Sequence, residues 1–94
     1  MKLRFTPEAE NVLVEIGVWV EERNTPGSGS RFIDKFIDKV STYALPKAKY
    51  LLCRNEILAS LQLSCIAIND WVVAFKCTNN EFVVYYILYG PAMK

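Results

Sequence analysis

Apolar and polar positions along the chain change period twice, and the changes, with the turns between them, divide it into elements. Residues 2–5 alternate, with Leu3 and Phe5 on one side, which predicts a short strand. From Thr6 the period lengthens. Ala9, Val12, Leu13, Ile16, Trp19 and Val20 form a stripe at helical spacing, with Trp19 expected in the core. Thr6-Pro7-Glu8 supplies the start: a hydroxyl to accept a free backbone N–H, a proline suited to the first helical position, and acids at the positive helix end. Asn24-Thr25-Pro26-Gly27 stops this helix, because proline disfavours helical geometry at the residue before it.

A second helix is predicted to open at Ser28-Gly29-Ser30, capped by Ser28 or Ser30, and to close at Pro46. Its stripe is Phe32, Ile33, Phe36, Ile37, Val40 and Tyr43, while Arg31–Asp34 and Lys35–Asp38 are spaced to pair at the surface. Phe-Ile-Asp-Lys occurs twice here, at 32–35 and 36–39, which keeps each residue type on one face without making a repeat protein.

The period then shortens to two. Leu61, Leu63 and Cys65 alternate with Gln62 and Ser64, and Ile66 and Ile68 fall on the other face, which suggests that the strand spanning 57–68 either carries a bulge or is covered on both sides in its second half. Asn69-Asp70 and Asn79-Asn80 are turns, and Trp71, Val73, Phe75 and Cys77 alternate between them. Residues 82–89 are apolar or aromatic on both faces, which marks a central strand or one that meets a partner. The expected architecture is a single α+β domain over 1–94, β-α-α-β-β-β, with an αα-hairpin packed on one face of an antiparallel sheet.

Composition narrows the class. The chain has 94 residues, is 52% hydrophobic and 22% charged, and so lies far from the disordered regime. It has no apolar run of the ~20 residues a bilayer span needs. The opening residues alternate charge with apolar side chains and do not read as a signal peptide, so a cytoplasmic protein is expected. Net charge is +1, giving no global electrostatic footprint for nucleic acid; the local exception is the stretch from Lys39 through Lys47 and Lys49 to Arg54, which carries no acid. Histidine is absent, and Cys53, Cys65 and Cys77 are an odd number without a CxxC pair. Neither a zinc site nor a disulfide framework is expected, and buried thiols on strands are. No cofactor is expected.

The element order, together with Phe5-Thr6-Pro7-Glu8-Ala9-Glu10, Leu13, Ile16, Glu22-Arg23-Asn24, Arg31-Phe32 and the closing stretches 71–76 and 82–90, resembles the RelE/ParE toxin superfamily of type II toxin–antitoxin and plasmid-stabilisation systems. The resemblance covers nearly the whole chain. It implies a small toxin held inactive by a cognate antitoxin, following one of two branches: RelE-like cleavage of mRNA on the ribosome, or ParE-like inhibition of DNA gyrase without hydrolysis. For the nuclease branch it points to Lys47, Lys49 and Arg54 after the second helix and to Tyr89 near the end, with Lys94 within reach of phosphate. The strand expected at 57–68 has no basic residue, and Tyr89-Gly90-Pro91-Ala92 stands where that branch often shows histidine or arginine. The catalytic set is incomplete, so the expectation is a ParE-like, non-enzymatic toxin. The alternatives are a ribosome-dependent interferase and a non-toxic protein-binding module. Ile66, Ile68, Val83, Tyr85 and Ile87 are expected on the sheet face away from the hairpin, covered by the antitoxin or by a second copy in a homodimer.

Overall fold

The computed structural model describes residues 1–46 and 48–93. Strand β1 (Lys2–Phe5) leads into α1 (Pro7–Arg23) and α2 (Ser28–Ser41); a short α3 (Glu56–Ser60) precedes β2 (Ser64–Ile68), β3 (Trp71–Thr78) and β4 (Glu81–Tyr89), and Gly90–Met93 form a closing 3-10 turn. The sheet order is β1-β4-β3-β2. Strands β2, β3 and β4 form the expected antiparallel meander, and β4 is interior, as its two-faced apolar pattern requires. Strand β1 pairs with β4 in parallel, from Lys2↔Glu81 to Phe5↔Val84, so the sheet is mixed rather than antiparallel throughout. No helix is long and apolar enough to cross a membrane among the described residues.

Local signals place the elements. Thr6 caps α1 by accepting the Ala9 N–H at 3.3 Å, with Pro7 in the first turn. Asn69 (φ 55°), Asn79 (φ 48°) and Asn80 (φ 63°) adopt the left-handed geometry that their turns need. Helix α2 departs from expectation at both ends. Gly27 is its N-cap, with φ 86° and no side-chain bond, so neither Ser28 nor Ser30 caps it. The Glu21 carboxylate serves instead, accepting the Gly27 N–H at 2.6 Å and the Gly29 N–H at 2.8 Å from across the loop. At the other end α2 stops at Ser41, before Pro46 is reached, and the Tyr43 and Ala44 amides bond back to Val40 and Ser41. Among the described residues the ion pairs are Arg4–Glu81 and Arg23–Glu22; Arg31–Asp34 and Lys35–Asp38 do not form.

The main core lies between the hairpin and the sheet: Ala9, Leu13, Ile16, Phe36 and Val40 meet Ile68, Val73, Phe75, Phe82, Val84 and Ile87. Phe75 stacks on Phe82 with centroids 4.2 Å apart. The register slips beside Phe75: Ala74 pairs with Tyr86 but Phe75 with Val84, so Tyr85 is the extra residue of a β-bulge. The Thr6 hydroxyl donates to the Tyr85 carbonyl at 3.1 Å, tying the α1 cap to the bulge. The sequence expectation allowed a bulge at 61–68; the bulge sits in β4, and it explains how Phe82, Val84 and Ile87 share one face while Tyr85 and Tyr86 turn to the other.

That other face is covered by the chain itself. Instead of a strand at 57–68, residues 52–63 form a flap containing α3. The Asn55 side chain caps α3 by accepting the Ile57 and Leu58 N–H groups at 3.0 and 3.1 Å. Gln62 (φ 62°) reverses the chain, and Leu52 bridges to Ser64 beside β2. Cys53, Leu58 and Leu63 bury against Ala74, flanked by Tyr85, Tyr86 and Leu88. A disulfide joins Cys53 to Cys65, and Cys77 is exposed. The expectation of three buried free thiols is therefore corrected: two are paired, and the third is on the surface. Disulfides persist in oxidising surroundings and are rare in reducing ones.

Candidate functional site

A concavity lies where α1 passes the end of the β3–β4 ladder. Val12, Glu15, Ile16 and Trp19 recur at three- and four-residue spacing, so one face of α1 forms one wall. The opposite wall is the cross-strand pair Trp71↔Tyr89, whose rings meet edge to face with centroids 5.2 Å apart. The rim position of Asp70 is fixed by its own carbonyl, which accepts the Gly90 N–H at 2.7 Å. Nearby, the Lys39 ammonium donates to the Asn69 side chain at 3.2 Å, tying this turn to α2. The cleft has a volume of about 530 Å³, within the ordinary span of ligand sites.

Its lining is aromatic and acidic. Trp19, expected as a core anchor, is 54% exposed, and Tyr89 is 49% exposed. Glu15 and Asp70 are both exposed, and among the described residues neither has a salt-bridge partner. The Arg23 guanidinium lies over the Trp19 ring, 4.3 Å from its centre, and donates to the Trp19 carbonyl at 3.2 Å. That geometry is a cation–π contact one helical turn downstream.

Among the described residues, those singled out for the nuclease branch are not brought together. Lys47 and Lys94 lie outside the described residues. Lys49 is exposed in the segment after α2, and Arg54 is exposed in the flap next to Cys53. Tyr89 belongs to the α1 side of the sheet, in the cleft, whereas the flap carrying Arg54 covers the opposite side. Of the residues expected on the far face, Ile66, Ile68 and Ile87 pack into the helix-side core instead. Val83 is buried, and Tyr85 lies under the flap, where the Lys76 ammonium stands 5.8 Å from its ring. Apolar side chains left open on and beside the flap are Leu51, 90% exposed, and Ile57, 71%, with Leu52 and Leu61; Val14 and Val18 on α1 and Leu45 are exposed elsewhere.

Two groups titrate away from their ordinary values next to the core. Burial pushes the Tyr50 phenol up, and its hydroxyl donates to the Tyr43 carbonyl at 2.8 Å while its ring meets Phe75 edge-on. Burial likewise pushes the Cys77 thiol up, which lowers its thiolate fraction. No group of three or more histidine, cysteine or acidic side chains is placed to hold a metal among the described residues.

The cleft and flap were not visible in the sequence for different reasons. Trp19 sits on the core stripe of α1, and only its position in the last turns, followed by Arg23, hints at exposure. Cys53 and Cys65 sit twelve residues apart around a capped turn, a signal masked by the third cysteine. No protein-family model matches the chain, and no curated protein matches it either.

Proposed function

We propose that this chain is a RelE/ParE-like toxin of the non-hydrolytic kind, restrained by a cognate antitoxin and acting by binding a protein target such as DNA gyrase. The reading starts from a β-α-α-α-β-β-β order, in which the α1–α2 hairpin packs over a four-stranded sheet and the short α3 is added before β2. The observation that carries it over the nuclease alternative is the separation of Tyr89 from Arg54. A general acid and a phosphate-binding cation must meet within hydrogen-bond reach of one scissile bond. Here Tyr89 meets Trp71 edge to face on the α1 side, and Arg54 belongs to the flap on the other side. The near-neutral charge supports the same choice, since binding among ribosomal phosphates draws on many uncompensated cations. Exposed leucine and isoleucine on the flap and the open aromatic cleft suit protein contacts.

Gyrase works in a reducing compartment, where Cys53 and Cys65 would stand as a dithiol. The proposal therefore requires the flap to hold without the bond. The test is inducible expression in a bacterial host, with purified gyrase and a translating-ribosome assay run in parallel. Growth arrest with inhibited supercoiling and intact mRNA is the expected result. Codon-specific mRNA cleavage would transfer the assignment to the interferase branch, and harmless expression with active gyrase would leave a non-toxic binding module.

A further inference from the structure

We propose that the cleft between α1 and the β3–β4 end is a docking site for a basic segment of a partner protein, seating an arginine or lysine side chain among Trp19, Trp71 and Tyr89. The inference rests on the protein-binding part of the reading above and not on gyrase as the target.

Charge complementarity identifies the occupant. The polar side chains at the mouth, Glu15 and Asp70, are carboxylates, and no cation of the described residues pairs with either. Two uncompensated acids beside aromatic rings repel an anionic ligand and attract a cationic one, both through charge and through the ring quadrupoles. Arg23 occupies one face of the Trp19 ring, so an incoming cation would meet the rings of Trp71 and Tyr89 or the other face of Trp19. The same acids disfavour nucleic acid, whose phosphates would face them.

Size and openness select a peptide over a small free amine. A volume of about 530 Å³ exceeds what one basic side chain fills, and leaves room for apolar neighbours against Val12 and Ile16. Trp19 and Tyr89 remain half exposed, so the cleft is an open trough. A small ligand gains affinity by being mostly enclosed, whereas a segment anchored by its flanks does not need enclosure. The trough is also held in shape. Trp71 and Tyr89 are ladder partners, and the Gly90 N–H to Asp70 carbonyl bond closes its end.

The experiment titrates the whole isotope-labelled chain with three acetylated, amidated pentapeptides, Ala-Leu-Arg-Leu-Ala and its lysine and glutamate counterparts, following the indole N–H signals of Trp19 and Trp71. The arginine and lysine peptides are expected to shift both indoles with dissociation constants of low-millimolar order or tighter. The glutamate peptide is expected to bind at least about tenfold more weakly, and added salt to weaken the basic peptides. The double variant Glu15→Gln/Asp70→Asn, changed only at exposed positions, should keep its amide spectrum and lose about tenfold in affinity for the basic peptides. Three results would overturn the proposal: no indole shift with the basic peptides at about 10 mM, equal binding of the glutamate peptide, or unchanged affinity in a folded double variant. None of them bears on supercoiling or growth, so the toxin reading stands or falls separately.

Discussion

Gly29 lies against the backbone of Gly17 where α2 leaves the hairpin loop and crosses α1; a Cβ at position 29 would fall on the Gly17 carbonyl oxygen. Backbone cannot rotate aside as a side chain can. Replacing a helical glycine with alanine ordinarily gains up to about 1 kcal/mol of helix propensity. Forcing a methyl into a closed contact costs about 1–3 kcal/mol, and here it also crowds the Glu21 carboxylate. The clash wins, so Gly29→Ala is expected to lower stability by about 1–2 kcal/mol in urea denaturation. Gly17→Ala makes the control. Its new Cβ would press on the end of the Ile33 side chain, which can change rotamer, and stands at ordinary contact distance from the Gly29 carbonyl, so a near-neutral result is expected. Equal losses at both positions would contradict this account of the crossing.

Glu21 links stability to pH in the same hairpin. Backbone N–H groups of Gly29 and then Gly27 hold its carboxyl below the ordinary value of 4.5, with Arg31 adding a smaller attraction. A carboxyl lowered in the folded state stabilises fully above its unfolded value, and loses that contribution as pH falls through its folded value. Acid titration of the Tm should therefore show a fall beginning below about pH 4.5 that is reduced in Glu21→Gln. Identical acid profiles for the two proteins would show that the two N–H bonds do not favour the ionised form.

How far the sequence could be read depends on the range of each signal. The Thr6-Pro7 cap, the Asn69 turn and the Asn79-Asn80 turn act within four residues, and each was legible. Glu21 caps α2 from the preceding helix, eight residues before Gly29, beyond the reach of the local capping pattern, which points to Ser28 or Ser30. Periodicity gives a face but not what covers it. The phase change before Ile66 and Ile68 points them to the far face, whereas the slip belongs to Tyr85 in β4 and both residues pack on the helix side. Tyr89 was legible as a strand end. The cleft around it was not, because it exists only once α1, Asp70 and Trp71 converge.

Asn55 offers a local probe of the flap. Its side-chain oxygen accepts from both Ile57 and Leu58, so Asn55→Ala leaves two N–H groups at the start of α3 without that partner. A lost cap of this kind costs about 1 kcal/mol, and Asp at the same position should preserve it. Hydrogen exchange resolves the effect by place: protection should fall at Ile57 and Leu58, and remain at Val83 and Val84 in the sheet interior. Uniform loss over both regions would mean that the flap unfolds only with the whole domain.

The Cys53–Cys65 bond gives the prediction on which the proposed function depends. Closing a short loop of this length stabilises by about 2–3 kcal/mol, chiefly by restricting the unfolded chain. Burying Leu58 and Leu63 contributes about 1.5–3 kcal/mol each, which is comparable or larger. The flap is therefore expected to stay seated on Ala74 and the Tyr85–Tyr86 pair after reduction, in a domain weakened but folded. Thiol labelling counts the states: one reactive cysteine, Cys77, in the oxidised native protein, slowed at neutral pH because burial pushes its thiol up, and three after reduction and unfolding. Denaturation of the Cys53→Ser/Cys65→Ser variant should show a loss of about 2–3 kcal/mol with a single cooperative transition. Global unfolding of this variant would instead confine the fold to oxidising surroundings, and a gyrase-directed role in the cytosol would then fail with it.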